Sequence, residues 1–370
     1  MYRTWAIIER ELRRFRRSPT VIIVAMVMPL VQLVVLGYAF GGNVKHLKVA
    51  VVDQDHGVPA VRIREMAGAV SAGAHIIDTI EYADEGQAVA DLRNGRVNGV
   101  LTIPPEFSRR VLEKNAPRVA LIEDNSDNIV SATLAGTLNG VVGAYNQPAN
   151  TPRIPGQATL DLVEVYPYVP YIQYLLPGSI CMSIFMMVMI GGGIIYIDDK
   201  ARGLHEGYLV TPITKLELVA GFNLSGTIKA VLAGVVLMTL GSLVAGIPNP
   251  FDPMRLLRLF LVINVTSFAL ISMMFLIMVR VTDPLMPRMM FGVLNTLLYF
   301  PSGAVYPQQG FPGWMQALAA VDPFTYAVHA FKSLLLKNTG LQPILPDLAY
   351  LFVFSLIALA LATRLFQREL

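Results

Sequence analysis

The sequence predicts a membrane all-α bundle of six transmembrane helices with an inserted extracytoplasmic α/β domain, and three observations carry that expectation. The 370 residues are 54% apolar and only 15% charged, with a mean hydropathy of +0.54, too apolar for an ordinary soluble protein of this length. Six stretches are long and apolar enough to cross a hydrocarbon core, which takes about 20 helical residues. Between the first two lies a long polar insertion in which strand-like and helix-like patterns alternate. A net charge of +3, with the basic residues not pooled in one stripe, argues against a nucleic-acid partner. The single cysteine, Cys181, cannot make an intrachain disulfide and reads as a small buried hydrophobe.

Residues 1–19 are expected to form a cytoplasmic amphipathic interfacial helix. Trp5, Ile8, Leu12 and Phe15 recur at spacings of three and four among arginines, which makes one apolar stripe on a basic helix. Transmembrane helix 1 follows at 20–40. A cleaved signal peptide is the competing reading, since Gly37 and Ala39 make a small-x-small site after an apolar run, but the leader is long and patterned. Residues 43–168 are too polar for a bilayer and form the inserted domain. Strands at 47–52, 76–81, 97–103 and 118–123, separated by helices at 61–70, 87–93, 104–113 and 129–145, imply an α/β layer. A Pro-rich piece, Gln147 to Pro170, leads back to the membrane. The region 171–370 holds the other spans, at 171–197, 218–247, 259–279, 285–303 and 346–363.

No span has an Asp or Glu near its middle, where a charge would cost about 2.5–3.5 kcal/mol. Lys229 is the exception, and it is expected at the inner boundary with its ammonium snorkelling to the headgroups. Six arginines, Arg3, Arg10, Arg13, Arg14, Arg16 and Arg17, precede the first span, which puts both termini in the cytoplasm. Lys200, Arg202, Arg280, Arg288, Arg364 and Arg368 agree with that orientation. Arg255 and Arg258 fall on the outer side and are expected as interfacial residues.

Few residues point to chemistry on this chain. Asp53, Asp55, Glu123, Asp124 and Asp127 sit at or beyond strand ends, where turn and capping roles outweigh a cation site. His46, His56, His75, His205 and His329 lack zinc spacing, and no phosphate-binding G-x-x-x-x-G-K-[ST] loop occurs. The triplet Gly191–Gly193 reads as a place for close helix packing or bending. Ten methionines, Met182, Met186, Met187, Met189, Met273, Met274, Met278, Met286, Met289 and Met290, crowd the second, fourth and fifth spans. They suit routine packing and would also suit varied apolar cargo. Asn264 and Asn295 are polar residues within spans that face either a pathway or a neighbouring helix.

Two segments carry a family resemblance. The loop from Asp198 to Ile213 reads DDKARGLHEGYLVTPI, which resembles the motif of ABC-2 type permeases: an acidic and basic stretch, a glycine, an acid, then L-V-[ST]-P-[IL]. Asp199, Lys200, Gly203, Glu206, Leu209, Val210, Thr211, Pro212 and Ile213 match, whereas Ala201 and Leu204 depart from it. The second segment, from Phe300, holds Ser302, Gly303, Pro307, Trp314, Pro323 and Tyr326. It resembles the same family's S-G-x-x-x-P, P-x-W and N-P-x-[TR]-Y signature, with Asp322 in place of the customary Asn. Its prolines break the helix into short outer re-entrant pieces over 304–340.

The resemblance implies an ABC exporter permease, of the subfamily with a large extracytoplasmic domain between the first two spans. Its coupling helix would be 198–212, meeting the ATPase subunit through Asp199, Lys200, Gly203, Glu206, Thr211 and Pro212. It further implies two copies of an ABC ATP-binding subunit, a second permease chain, identical or paralogous, and a bacterial inner-membrane location, with a periplasmic adaptor left open. The chain itself would be no enzyme and hold no cofactor, with ATP and Mg on the partner subunit. The implied cargo is a hydrophobic or amphipathic small molecule such as a drug, antibiotic or lipid. The alternatives are sodium extrusion, an ion-driven secondary transporter, or a mechanotransmission or receptor scaffold that transports nothing.

Overall fold

Two helices open the chain, each for a different reason. Helix α1 (Tyr2–Arg16) is strongly amphipathic, with Ile7, Ile8, Glu11 and Phe15 buried and arginines in its last turn. Helix α2 (Pro19–Gly41) is apolar all round, as expected of a helix whose solvent is lipid. These are features of a computed structural model that describes residues 2–41, 45–73, 75–123, 128–146, 169–194, 197, 203, 213–281, 283 and 285–366. The chain divides into two compact units, Met1–Gly41 with Glu164–Leu370, and Gly42–Val163.

The smaller unit is a four-stranded sheet with helices on both faces. In chain order it holds β1 (Leu47–Asp53), α3 (Val58–Gly73), β2 (Ile77–Tyr82), α4 (Glu85–Arg93), β3 (Gly99–Ile103), α5 (Phe107–Leu112), β4 (Ala120–Glu123) and α6 (Asn128–Asn146). The strand order is β2-β1-β3-β4, with β1 parallel to β2 and β3 and with β4 antiparallel to β3. Strand alternation splits the core in two. Leu47 and Val49 join Ile63, Leu101, Ile103 and Leu134, while Ala50 and Val52 pack on the other face with Ala88, Leu92 and Val100. Helix α5 begins at Phe107 rather than at the expected Pro104, because Glu106 adopts a left-handed φ of 64° and sets the helix start there.

Two of the strand-end carboxylates, Asp53 and Asp55, are held in turns, whereas Glu123 Oε2 is buried without a hydrogen-bond partner among the described residues. Asp53 Oδ1 accepts from the amides of Asp55 and His56 at 3.0 and 2.9 Å. Asp55 Oδ2 accepts from Gly57 N–H, Ser108 N–H and the Ser108 hydroxyl. Partial burial pushes the Asp55 carboxyl up, but those hydrogen bonds outweigh it and hold the group below its ordinary value. Asp124 and Asp127 lie outside the described residues.

In the larger unit, α7 (Tyr171–Val188) runs into a π-helical turn, Met189–Ile194, at the glycine triplet. Then follow α8 (Lys215–Val244), α9 (Pro253–Met278), α10 (Met286–Leu294), α11 (Gly313–Val321), α12 (Pro323–Leu335) and α13 (Leu345–Leu365). Sequence explains several of the starts. Thr214 and Glu217 form a reciprocal capping box on α8. Asp252 and Asp322 each cap a helix whose first residue is proline.

Among the described residues five helices, not the six expected, are long and apolar enough to cross a membrane: α2, α7, α8, α9 and α13. The remaining expected crossing, 285–303, is split. Helix α10 passes into a π-turn, Asn295–Tyr299, and ends where Pro301 lacks an N–H and Gly303 takes φ +82°. That helical stretch rises roughly 20 Å, short of the ~30 Å an uninterrupted span covers. The chain still changes ends there. The close of α9 lies against the triplet, since a Cβ on Gly193 would meet Met278 at 3.9 Å. At the other end of 285–303, Tyr174 in the first turn of α7 donates to Gly303 O at 3.3 Å.

Glycines set the helix spacing. A Cβ on Gly226 of α8 would stand 2.6 Å from Ile271 of α9, one on Gly241 would stand 2.5 Å from Leu176 of α7, and one on Gly178 would stand 2.6 Å from Ala304 Cβ and 3.2 Å from its Cα. The Gly178 contact involves backbone, which cannot rotate away. Gly178→Ala is therefore expected to lower the apparent unfolding temperature of the purified chain, by an overpacking cost of about 1–3 kcal/mol, and Ala304→Gly in the same chain should recover part of it. For the smaller unit, the sign follows from the lowered Asp55 carboxyl: its contribution is present above the ordinary 3.8 and lost as pH falls through the folded value. The stability gap between wild type and Asp55→Asn, followed by thermal unfolding, should be constant from near-neutral pH down and close below 3.8.

Candidate functional site

Helix α1 is anchored to the bundle by a buried ion pair. Lys229 Nζ in α8 donates to Glu11 Oε2 at 3.0 Å and to the Gly191 carbonyl at 3.2 Å, and both side chains are nearly closed off, at 2% and 3% exposure. The acceptor at Gly191 is available because it lies in the π-turn, where the regular i to i+4 ladder is interrupted. Phe15 places its ring 5.9 Å from the ammonium, and Arg10 Nη1 stands 3.5 Å from the other Glu11 oxygen. Two turns away, Ile7 sits in a notch at Gly221, where a Cβ would meet it at 3.0 Å. Farther along the same helix, Asn223 accepts from Ser272 of α9 at 2.9 Å, fully buried.

This node corrects two expectations. Lys229 does not snorkel to headgroups, since its ammonium is satisfied inside the protein. The stripe on α1 is also rotated from the one expected. Of the stripe residues, Ile8 and Phe15 are buried against the bundle, Leu12 is only half-buried and Trp5 is 60% exposed, and Ile7 and Glu11 complete the buried face. Sequence reasoning missed Glu11 because a lone acid among arginines reads as a solvated residue. The signal was its spacing, four residues after Ile7 and four before Phe15.

Both ends of the described chain meet the start of α8. Lys215, at the start of α8, donates to Phe366 O just past α13 at 3.0 Å, and Arg3 of α1 lies near Glu217. In the sequence, 198–212 lies between the π-turn that ends α7 and the start of α8. Asp199, Lys200, Glu206, Thr211 and Pro212 lie outside the described residues, and Gly203 takes φ +73°, a value that favours glycine.

The second motif organises the opposite end. Ser302 donates to Tyr299 O at 2.7 Å. The Gly303 carbonyl accepts from Lys332 Nζ at 2.6 Å as well as from Tyr174, and Pro307 precedes a short 3₁₀ turn. Asp322 accepts from Phe324 N–H at 2.9 Å ahead of Pro323. Tyr326 donates to Ala320 O at 2.7 Å and stacks on Tyr350 at 3.7 Å between centroids. Trp314 is 67% exposed on α11. Arg255 and Arg258 are corrected here. Arg255 is buried, bonded to Pro248 O at 2.7 Å and to Asn338 at 3.1 Å, and Arg258 donates to Thr339 O at 3.2 Å. They staple loops together rather than facing headgroups.

The remaining polar and sulfur residues are mostly absorbed by packing. Met182, Met186, Met187, Met189, Met273, Met274 and Met278 are in the main core, whereas Met286 and Met289 are exposed on α10. Cys181 is fully buried, Asn264 bonds its own helix at Phe260 O, and Asn295 Oδ1 is buried without a hydrogen-bond partner among the described residues. No cluster of three or more metal-ligating side chains occurs among the described residues.

Comparison with known proteins follows the same outline. Residues 19–364 match the family described as ABC-2 family transporter protein. A probable multidrug ABC transporter permease of Escherichia coli, YbhR, is 22% identical over 100% of this chain and 99% of its own length. A second such permease of E. coli, YbhS, is 22% identical over 91% of this chain and 89% of its own. ABC transporter G family member 20 of Dictyostelium discoideum is 24% identical over 95% of this chain but 48% of its own length.

Lys229→Met leaves Glu11 buried without its cation and is expected to cost about 3–5 kcal/mol, read as a lower unfolding temperature of the purified chain. Adding Glu11→Leu should return most of that loss, and a double variant no more stable than Lys229→Met would contradict the pairing.

Proposed function

This chain belongs to the ABC-2 family of transporter proteins, and on that premise we propose that it is the membrane permease of an ATP-driven exporter for hydrophobic or amphipathic small molecules. It is a multi-pass membrane protein with a transport permease role, a family role that goes with an ATP-binding subunit. Export direction and cargo are our reading. They are supported by the names of the E. coli relatives, probable multidrug permeases, and by methionines that adapt to irregular apolar shapes.

The observation that carries the mechanism is the buried Glu11–Lys229 pair. It fixes α1 to the helices on either side of the 198–212 loop, so a push on the loop or on α1 arrives at one node. We read 198–212 as the coupling helix gripped by the ATPase subunit through Asp199, Lys200, Gly203, Glu206, Thr211 and Pro212. Two ATPase copies would close on ATP and drive two permease chains between inward- and outward-facing states. A second permease chain, identical or paralogous, completes the pathway. The arginine-rich α1 supports a reading with both termini in the cytoplasm, by the positive-inside rule, of a bacterial inner-membrane protein. The smaller unit and the 304–340 segment are then extracytoplasmic.

A cysteine at position 206 (Glu206→Cys) tests the reading, since Cys181 is buried. In intact cells it should resist a membrane-impermeant thiol reagent, and in the purified complex it should crosslink to the ATP-binding subunit. Proteoliposomes should move a fluorescent amphipathic probe only with ATP, and trapping the ATPase with vanadate should stop it. Transport driven by a pH gradient alone would reject the proposal, and hydrolysis without any cargo movement would favour a force-transmitting scaffold.

A further inference from the structure

The end of the bundle opposite the Glu11–Lys229 node holds a cavity of about 250 Å³, lined among others by Tyr174, Gln308, Thr325, His329 and Lys332. Lys332 brings a half-buried ammonium to it. That ammonium donates to the Gly303 carbonyl at 2.6 Å and lies over the Tyr174 ring at 3.5 Å from the centroid. Both are neutral partners, and no ion pair between Lys332 and a carboxylate occurs among the described residues. A cation held away from water without a counter-charge is costly, and a bound anion offsets that cost.

The surrounding groups are suited to one. Gln308 Nε2 donates to the Thr325 oxygen at 3.3 Å, which leaves the Thr325 hydroxyl proton to point elsewhere. His329 donates Nδ1 to Asp347 at 2.7 Å, so that carboxylate already has a partner of its own. We propose that this cavity is an anion site, in which Lys332 and Thr325 hold a phosphate or carboxylate group. Its volume lies below the ~300–1,000 Å³ of pockets that enclose whole drug-sized ligands, so it takes a headgroup or a small ion rather than a complete cargo molecule. Exposed Tyr306, Trp314 and Val321 on neighbouring segments are the aromatic and apolar surface expected at a membrane interface, where lipid phosphates lie. The inference does not depend on the direction of transport.

The test uses the purified full-length chain with defined probes. Native mass spectrometry compares retention of phosphatidylglycerol with that of phosphatidylcholine, and thermal unfolding compares sodium phosphate with sodium chloride at matched ionic strength. Wild type should prefer phosphatidylglycerol, Lys332→Arg should keep the preference, and Lys332→Gln should weaken it at least about tenfold, the loss of one charge-assisted hydrogen bond. Stabilisation by phosphate that Lys332→Gln abolishes, without lipid preference, identifies a free anion as the occupant. If Lys332→Gln does not fold, Thr325→Val, which leaves the Lys332–Gly303 bond intact, should still weaken retention. Wild type with neither a lipid preference nor a phosphate-specific shift, or Lys332→Gln with its preference intact, overturns the proposal.

Discussion

Glu11 and Lys229 meet 3.0 Å apart in surroundings that admit almost no solvent, and most of what is distinctive about the larger unit follows from that pairing. Either charge alone in that place would carry a desolvation cost of several kcal/mol, so each residue requires the other. The pair therefore selects one register for α1 on α8. Because Lys229 also takes the Gly191 carbonyl, that register includes the π-turn of α7. An amphipathic helix with only apolar contacts could slide or lift from the surface, and a charge-paired one is held at a point. This is the property that the coupling proposed above would require of α1.

Close packing extends the same rigidity along the bundle. Gly221, Gly226, Gly234 and Gly241 let α8 approach Ile7, Ile271, Ile184 with Ile263, and Leu176 respectively, so α8 packs closely on α1, α9 and α7 from different sides. Ser183 of α7 bridges its neighbours, donating to Ala25 O and Ala233 O at 3.3 and 3.4 Å. At the far end the chain is pinned by carbonyl acceptors instead. Lys332, Tyr174, Arg255 and Arg258 all donate to backbone oxygens of turns, which ties down the loops that proline and glycine free from helical bonding. In the smaller unit Asp53 accepts from backbone amides of its own turn, and Asp55 joins its turn to Ser108 of α5.

Composition, apolar length and alternation determined the class of the protein, because they depend only on what each segment must be dissolved in. A run of twenty apolar residues belongs in lipid wherever its neighbours are, and a strand alternating with helices builds a sheet layer from local periodicity alone. The caps Asp252 and Asp322, each followed by proline, explain the starts of α9 and α12 for equally local reasons. The partners of the charges were decided by tertiary structure. Glu11 lies 218 positions from Lys229, and Lys332 lies 29 from Gly303, so no spacing rule links them. The rotation of α1 that buries Ile7 and turns Trp5 outward, and the break of the 285–303 segment into α10 and a turn, were settled the same way. Each depends on which surfaces come together once the helices pack, and the electrostatic cost of a buried charge is defined only then.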